Sequence, residues 1–164
     1  FMCGGDAEAF ARAKPILEAM GKRIVHCGGA GAGQAVKMCN QMMVAANMAV
    51  AAEAMVLAER LGIEPRIVHE VVTSSSGGSW ALQNYCPVPG LSPNAASNNG
   101  FKPGFTTALM LKDLKIFQEA ARAAGVPSPV GNQVMALYEM FHNRGSDGVD
   151  YSGVIGMLRG KPVP

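Results

Sequence analysis

The longest uninterrupted run of helix-forming residues extends from Gly31 to Leu61. It contains no Pro and, after Gly33, no Gly until Gly62. Ala, Met, Leu, Glu, Gln and Lys fill most of it, and these lose little side-chain freedom in a helix. The pattern predicts one helix on the order of 45 Å long, at about 1.5 Å per residue. Upstream, Phe1 to Cys3 is a short apolar run. Asp6 is placed to cap a helix through Ala7, Phe10 and Ala11. Pro15 is expected to interrupt that helix and leave a second piece, Ile16 to Met20, closed by Gly21. Arg23-Ile24-Val25-His26-Cys27 then reads as a strand. Strand, helix and strand in so short a span make a fragment of an α/β unit, which cannot form a sheet alone.

Downstream, the apolar spacing stays helical. Glu64-Pro65 starts a helix with Pro in its first turn, and Ile67, Val68, Val71 and Val72 form its apolar face. Ser74 to Ser79 is a flexible polar loop leading into a short helix near Trp80 to Tyr85. Residues 86 to 104 contain several Pro turns, an Asn-rich stretch and no period, and read as an ordered loop. A connection that long is expected to be functional or to form an interface. Thr106 or Thr107 opens a helix to about Ala124, closed by Gly125. Its expected buried stripe is Met110, Leu114, Phe117 and Ala121, flanked by Lys112 and Asp113 as an ordinary charged surface. Pro129 to about Asn143 follows, with Val130, Val134, Leu137 and Phe141 on one side. Asp150 caps a last helix, Tyr151 to Arg159. From residue 29 to 164 the expectation is an all-α domain of about six helices organised around the long one.

Composition changes the picture in one respect. The chain is 49% hydrophobic and only 16% charged, against about 25% charged in an ordinary globular domain. So little charge, with a long Ala- and Met-rich helix, predicts surface packed against other protein, as in a homodimer or homotetramer. The net charge of +2 gives no footprint for nucleic acid or an anionic membrane. Met42 to Ala58 is apolar enough to raise a membrane span, but Asn47 and Glu53 interrupt it, and a buried helix is expected. No signal-peptide pattern is present, and Phe1-Met2-Cys3-Gly4-Gly5 reads as the end of a strand. Cys3, Cys27, Cys39 and Cys86 show no C-x-x-C and fit reduced thiols inside a cell, with Cys39 as plain packing. His26, His69 and His142 sit on three separate elements, so no metal site is expected.

The candidate chemistry lies at the start of the long helix. Residues three and four apart share a face, so Gly33, Lys37, Asn40 and Gln41 fall together. A cation and two amides beside the gap left by Gly33 suit a small polar acid. The plain alternative is a solvated lysine after a glycine hinge. In the loop, the hydroxyls and free N–H groups around Ser76 and Gly77 can bind a carboxylate, although most Ser/Gly loops bind nothing.

Gly28-x-x-Gly31-x-Gly33-x-x-x-Lys37-x-x-Asn40 resembles the catalytic signature of the β-hydroxyacid dehydrogenase family. That pattern ends in two adjacent Asn, where this chain has Asn40-Gln41. The Gly-Gly, Phe, Pro and Met-Gly pattern before residue 28 resembles the end of the family's Rossmann domain. The resemblance implies that residues 1–28 are the tail of that NAD-binding domain, and that residues 29–164 form a 6-phosphogluconate-dehydrogenase-like C-terminal domain. The G-x-G-x-x-G fingerprint and the acidic residue that selects NAD over NADP do not occur. A Ser-Gly-x-x-Trp segment marks the family's substrate pocket and matches Ser76, Gly77 and Trp80. Phe105, Lys112 and Asp113 match its Phe-x6-Lys-Asp segment, where Lys approaches the cofactor and Asp supports the site. Phe117 and Glu119 depart from the family's Ala and Asp. Tyr85-x-Pro87-Val88-Pro89-Gly90 resembles the branch acting on 3-hydroxyisobutyrate more than that acting on tartronate semialdehyde.

The implied activity is NAD(P)-dependent oxidation of 3-hydroxyisobutyrate to methylmalonate semialdehyde in valine catabolism, in a bacterial cytoplasm or mitochondrial matrix. Lys37 is implied as the proton-transfer residue, and Asn40 and Gln41 as substrate-orienting. The 164 residues alone are expected to be inactive for want of the phosphate-binding loop. Two other readings stay open: a relative such as a tartronate semialdehyde reductase, and a non-catalytic helical oligomerisation module.

Overall fold

The computed structural model describes residues 1–162, so the last two positions of the expected helical domain lie outside the described residues. The chain divides into two compact units, Phe1–Gln41 and the remainder from Met42.

In the first unit, β1 (Met2–Gly4) lies parallel to β2 (Val25–Gly28), with Met2 opposite Val25 and Cys3 opposite His26. Between them runs α1 (Ala7–Met20), whose N-terminus is capped by the Asp6 carboxylate accepting from the Glu8 and Ala9 amides at 3.0 Å. The expected break at Pro15 does not occur, and the helix passes through it. Pro15 removes one N–H, but it and Ala11, four residues back, are exposed. Solvent can therefore serve the Ala11 carbonyl that loses its donor. After β2 the backbone turns through Gly28 and Gly31, at φ +122° and +85°. Side-chain-bearing residues rarely adopt these angles. α2 (Ala32–Arg60) follows at once.

The regular elements of the second unit are, among its described residues, all helices. It holds the rest of α2, α3 (Pro65–Thr73), α4 (Trp80–Asn84), α5 (Thr107–Ala123), α6 (Pro129–His142) and α7 (Val154–Leu158). Short 3-10 turns lie at Ala96–Asn99 and Tyr151–Gly153. Ala45, Met48, Ala52 and Met55 form the buried face of α2 and join Leu82, Met110, Leu114, Tyr138, Phe141, Val154 and Ile155 in one core. The expectation of a buried helix holds for that face alone. Met43, Val50 and Leu57, seven residues apart, are each about 60% exposed.

Three expected faces shift. On α3, Ile67 and Val71 are exposed and only Val68 and Val72 touch the core. On α6 the buried line is Gly131, Val134, Tyr138 and Phe141, with Val130 exposed. Gly131 sets this rotation, because a Cβ there would stand 2.5 Å from both Gln118 Nε2 and Ser128 Oγ. The face lacking a side chain is the one that meets α5. On α5, Phe117 is half-buried, and Asp113 and Gln118 are buried instead.

The stretch from 86 to 104 is ordered by small polar side chains. Buried Ser92 donates to the Gln83 carbonyl at 3.1 Å and accepts from the Cys86 amide at 3.2 Å. Buried Ser97 donates to the Cys86 carbonyl at 2.8 Å, and Asn98 Nδ2 to the Ser92 carbonyl at 2.8 Å. These bonds replace those a helix or sheet would have supplied.

Candidate functional site

In the first unit, Gly33, Gln34, Lys37, Asn40 and Gln41 on the opening turns of α2, with Phe1 to Gly4, line an open pocket of about 610 Å³. The four residues grouped by helical spacing are therefore brought together. Lys37 is exposed and, among the described residues, takes part in no ion pair or hydrogen bond. Its ammonium is available to a ligand. Asn40 Nδ2 donates to Gln41 Oε1 at 3.2 Å, which aligns the two amides on one wall.

Gly33 has a different purpose from the one its spacing suggested. It does not leave a gap beside Lys37. A Cβ on Gly33 would collide with the Met2 carbonyl oxygen and stand 3.0 Å from the Gly4 amide nitrogen. A Cβ on Gly4 would in turn lie 2.7 Å from Gly33 N and 2.8 Å from Gly29 O. The two glycines let β1 and the start of α2 approach backbone to backbone, and so carry the strand's main chain to the pocket wall. Cys39, expected to be packing, is exposed, because it lies on the outward side of α2.

The other candidate residues lie in the second unit. Ser76 and Gly77 line a pocket of about 430 Å³ with Ser79, Asn47, Val50 and Leu82. Both are exposed. The Ser79 hydroxyl accepts from the Leu82 amide at 3.3 Å and so starts α4, which places Trp80 beside the loop. Lys112 and Asp113 form an ion pair at 2.9 Å in which the ammonium is exposed and the carboxylate buried. The flanking surface pair expected on α5 is therefore an anchored cation. Phe105 is half-buried, edge-on to Tyr151.

The residue whose importance sequence reasoning missed is Asp150, recognised only as a cap. It is fully buried. Its Oδ2 accepts from Tyr85 Oη at 2.9 Å, from the Gly104 amide at 3.0 Å and from the Phe105 amide at 3.1 Å. Its Oδ1 accepts from the Ser152 amide and hydroxyl. Burial, then the Asp150 charge, raises the Tyr85 and Tyr151 phenol pKa values above the ordinary tyrosine range. Burial does the same to Tyr138 and to the Cys86 thiol. Among the described residues no three His, Cys, Asp or Glu side chains are grouped to hold a metal ion.

Comparison with known proteins gives a consistent result. A family model described as NAD-binding of NADP-dependent 3-hydroxyisobutyrate dehydrogenase matches residues 31–158. A second, the NAD binding domain of 6-phosphogluconate dehydrogenase, matches residues 1–29. A probable 3-hydroxyisobutyrate dehydrogenase of Mycobacterium bovis is 46% identical over 161 residues, covering 98% of this chain and 54% of its own length. An NAD-dependent L-serine dehydrogenase of Pseudomonas aeruginosa is 44% identical, covering 94% of this chain and 52% of its own. A solved structure of Mycobacterium tuberculosis 3-hydroxyisobutyrate dehydrogenase with L-serine superposes with a TM-score of 0.92 at 46% identity. It covers 97% of this chain and 54% of that one. The chain thus spans about half the length of the relatives it matches.

Proposed function

Because this chain belongs to the 3-hydroxyisobutyrate dehydrogenase family, we propose that it supplies the helical half of an enzyme that oxidises the primary alcohol of a small 3-hydroxy acid to a semialdehyde with NAD or NADP. The observation that carries the reading is the first-unit pocket, where an unengaged ammonium faces two aligned amides. Lys37 exchanges a proton with the substrate oxygen, as base in oxidation and acid in reduction. Asn40 and Gln41 hold the substrate's oxygens, and Ser76 and Gly77 offer hydroxyl and N–H groups to its carboxylate.

The residues implied for the cofactor fit a dinucleotide. An exposed ammonium anchored by a buried carboxylate, Lys112 on Asp113, suits the anionic or ribose portion, and half-buried Phe105 offers an apolar edge. When bound, the nicotinamide accepts the hydride. No G-x-G-x-x-G occurs in these 164 residues, so we assign pyrophosphate binding to a nucleotide-binding domain that this chain joins, and the chain alone turns over no substrate.

The substrate class extends to L-serine. It is itself a 3-hydroxy acid, the relative named as an L-serine dehydrogenase is 44% identical to this chain against 46% for the probable 3-hydroxyisobutyrate dehydrogenase of Mycobacterium bovis, and the similar Mycobacterium tuberculosis structure holds L-serine. A role in valine catabolism follows if 3-hydroxyisobutyrate is preferred. The compartment is a bacterial cytoplasm or, as for the mitochondrial relatives from Drosophila melanogaster and Bos taurus, a mitochondrial matrix.

The test is Lys37→Ala against Lys37→Arg in the dehydrogenase that carries this chain, with 3-hydroxyisobutyrate and L-serine as substrates. Proton transfer by Lys37 predicts a loss in kcat of about 10²- to 10⁴-fold in both variants, because a guanidinium does not release its proton near neutral pH. If Lys37 only holds the carboxylate, Arg restores the rate and the loss in Ala appears in KM. Wild-type kcat together with wild-type KM in Lys37→Ala overturns both versions.

A further inference from the structure

Two second-unit segments given roles above, the Ser76–Trp80 loop and the Phe105 turn, are far apart in sequence. A continuous set of contacts joins them. Trp80 stacks on Tyr85 with ring centroids 6.0 Å apart and planes 16° from parallel. Tyr85 also stacks against Tyr151, at 5.8 Å and 9°. Between these rings the Tyr85 hydroxyl donates to Asp150 Oδ2, the same oxygen that accepts the Gly104 and Phe105 amides. Gly104 is shaped for this meeting, since a Cβ there would stand 2.9 Å from Tyr85 Oη.

The main chain of Asp150 extends the hold. Its amide donates to the carbonyl of Phe101 at 3.0 Å. Phe101 itself sits at φ +58°, a conformation that a bulky side chain adopts only under constraint from its surroundings. Neighbouring Val149 accepts from both the amide and the hydroxyl of Thr107, the first residue of α5 and of the helix that bears Lys112. A buried carboxylate is costly unless its lone pairs are filled. Here five donors fill them, and three of those belong to Tyr85 and to the Gly104–Phe105 turn.

We propose that Tyr85 and Asp150 are positioning residues that tie the Ser76–Trp80 segment to the Gly104–Phe105 turn. They hold the substrate-side and cofactor-side elements of this unit in one register. Neither touches substrate or cofactor; each acts through Trp80 or Phe105. The assignment of those two sides rests on the function proposed above, but the tether itself does not.

The test separates the two. Tyr85→Phe keeps both ring stacks and removes only the hydroxyl. In the 164-residue chain, amide hydrogen exchange at Gly104 and Phe105 should accelerate by about tenfold, the scale expected on losing one hydrogen bond to a charged group. Asp150→Asn, which leaves one acceptor oxygen for five donors, should accelerate it further. Exchange in Tyr85→Phe equal to wild type overturns the tether, whether or not Asp150→Asn folds. In the complete dehydrogenase, Tyr85→Phe should raise KM for the dinucleotide about fivefold, with kcat within about twofold. Lower kcat with unchanged KM means lost active protein and overturns the positioning role. If the wild-type enzyme oxidises no 3-hydroxy acid, the proposed function falls, and the exchange rates still decide the tether.

Discussion

Gly33→Ala puts two physical effects in opposition at one residue. Gly33 lies in the first turns of α2, where helix propensity alone favours Ala by up to about 1 kcal/mol. Sterics point the other way. The added Cβ would overlap the Met2 carbonyl oxygen and press on Met2 C and Gly4 N, both at 3.0 Å. All three atoms are backbone, so no side chain can rotate aside. Relief to ordinary contact needs β1 to move by something on the order of 1 Å, and β1 is three residues long and, among the described residues, paired only to β2. Overpacking of this kind costs about 1–3 kcal/mol, which exceeds the propensity gain. The net expectation is a loss of about 1–2 kcal/mol from the first unit. In urea, where the slope for a small unit is about 1 kcal/mol per molar, this lowers the midpoint by about 1–2 M. The assay is far-ultraviolet circular dichroism across a urea series, with Ala35→Gly, on an exposed site of the same helix, as the reference for propensity alone. A Gly33→Ala chain as stable as wild type, or more stable, would refute the backbone-contact argument and restore the view that Gly33 keeps space open beside Lys37.

Tyr138 is fully buried, and its hydroxyl has no partner among the described residues. Tyr138→Phe should therefore leave stability unchanged or raise it by up to about 1 kcal/mol, read as the shift in thermal midpoint; a clear loss would reveal a bound water or hidden partner. Cys39 is exposed, whereas Cys86 is buried with its thiol pKa raised by that burial. A thiol reagent near neutral pH should modify Cys39 in the native chain and reach Cys86 only on unfolding, as peptide mapping of the labelled protein can check. Tyr85 and Tyr151 have phenol pKa values raised in the folded state. Their contribution to stability is then complete below the unfolded value of about 10 and is lost as pH climbs from there toward the folded values. Urea midpoints between pH 8 and 11 should fall above pH 10, and fall less steeply in Tyr85→Phe.

The elements that were legible in the sequence are those governed by local chemistry. The breaker-free run gave α2 to within a residue at each end, Asp6 and Thr106 cap the helices their types suggest, and the grouping of Lys37, Asn40 and Gln41 follows from helical spacing. What misled was anything decided by tertiary surroundings, whether a neighbour distant in sequence or open solvent. Pro15 is tolerated because its helix is exposed there. Gly131 rotates α6 because α5 comes close. Gly33 reads as space until Met2 is found filling it. Asp150 looks like one more cap, since only the fold delivers Tyr85, 65 residues away, to its other oxygen. The 86–104 stretch is expected to be ordered, but which side chains order it is hidden for the same reason. Buried Ser92 and Ser97 look like loop residues by type and act as main-chain partners by position.

The single tryptophan of the chain, Trp80, lies in the second unit and is 57% exposed. Its emission is therefore an optical label on that unit. Circular dichroism sums the helices of both. If the two units melt as one, denaturation curves from the two signals coincide; if they melt separately, the curves part. In the second case the indole trace of Gly33→Ala overlays that of wild type while the dichroism trace splits, so the count of cooperative transitions can be read without labelling the protein.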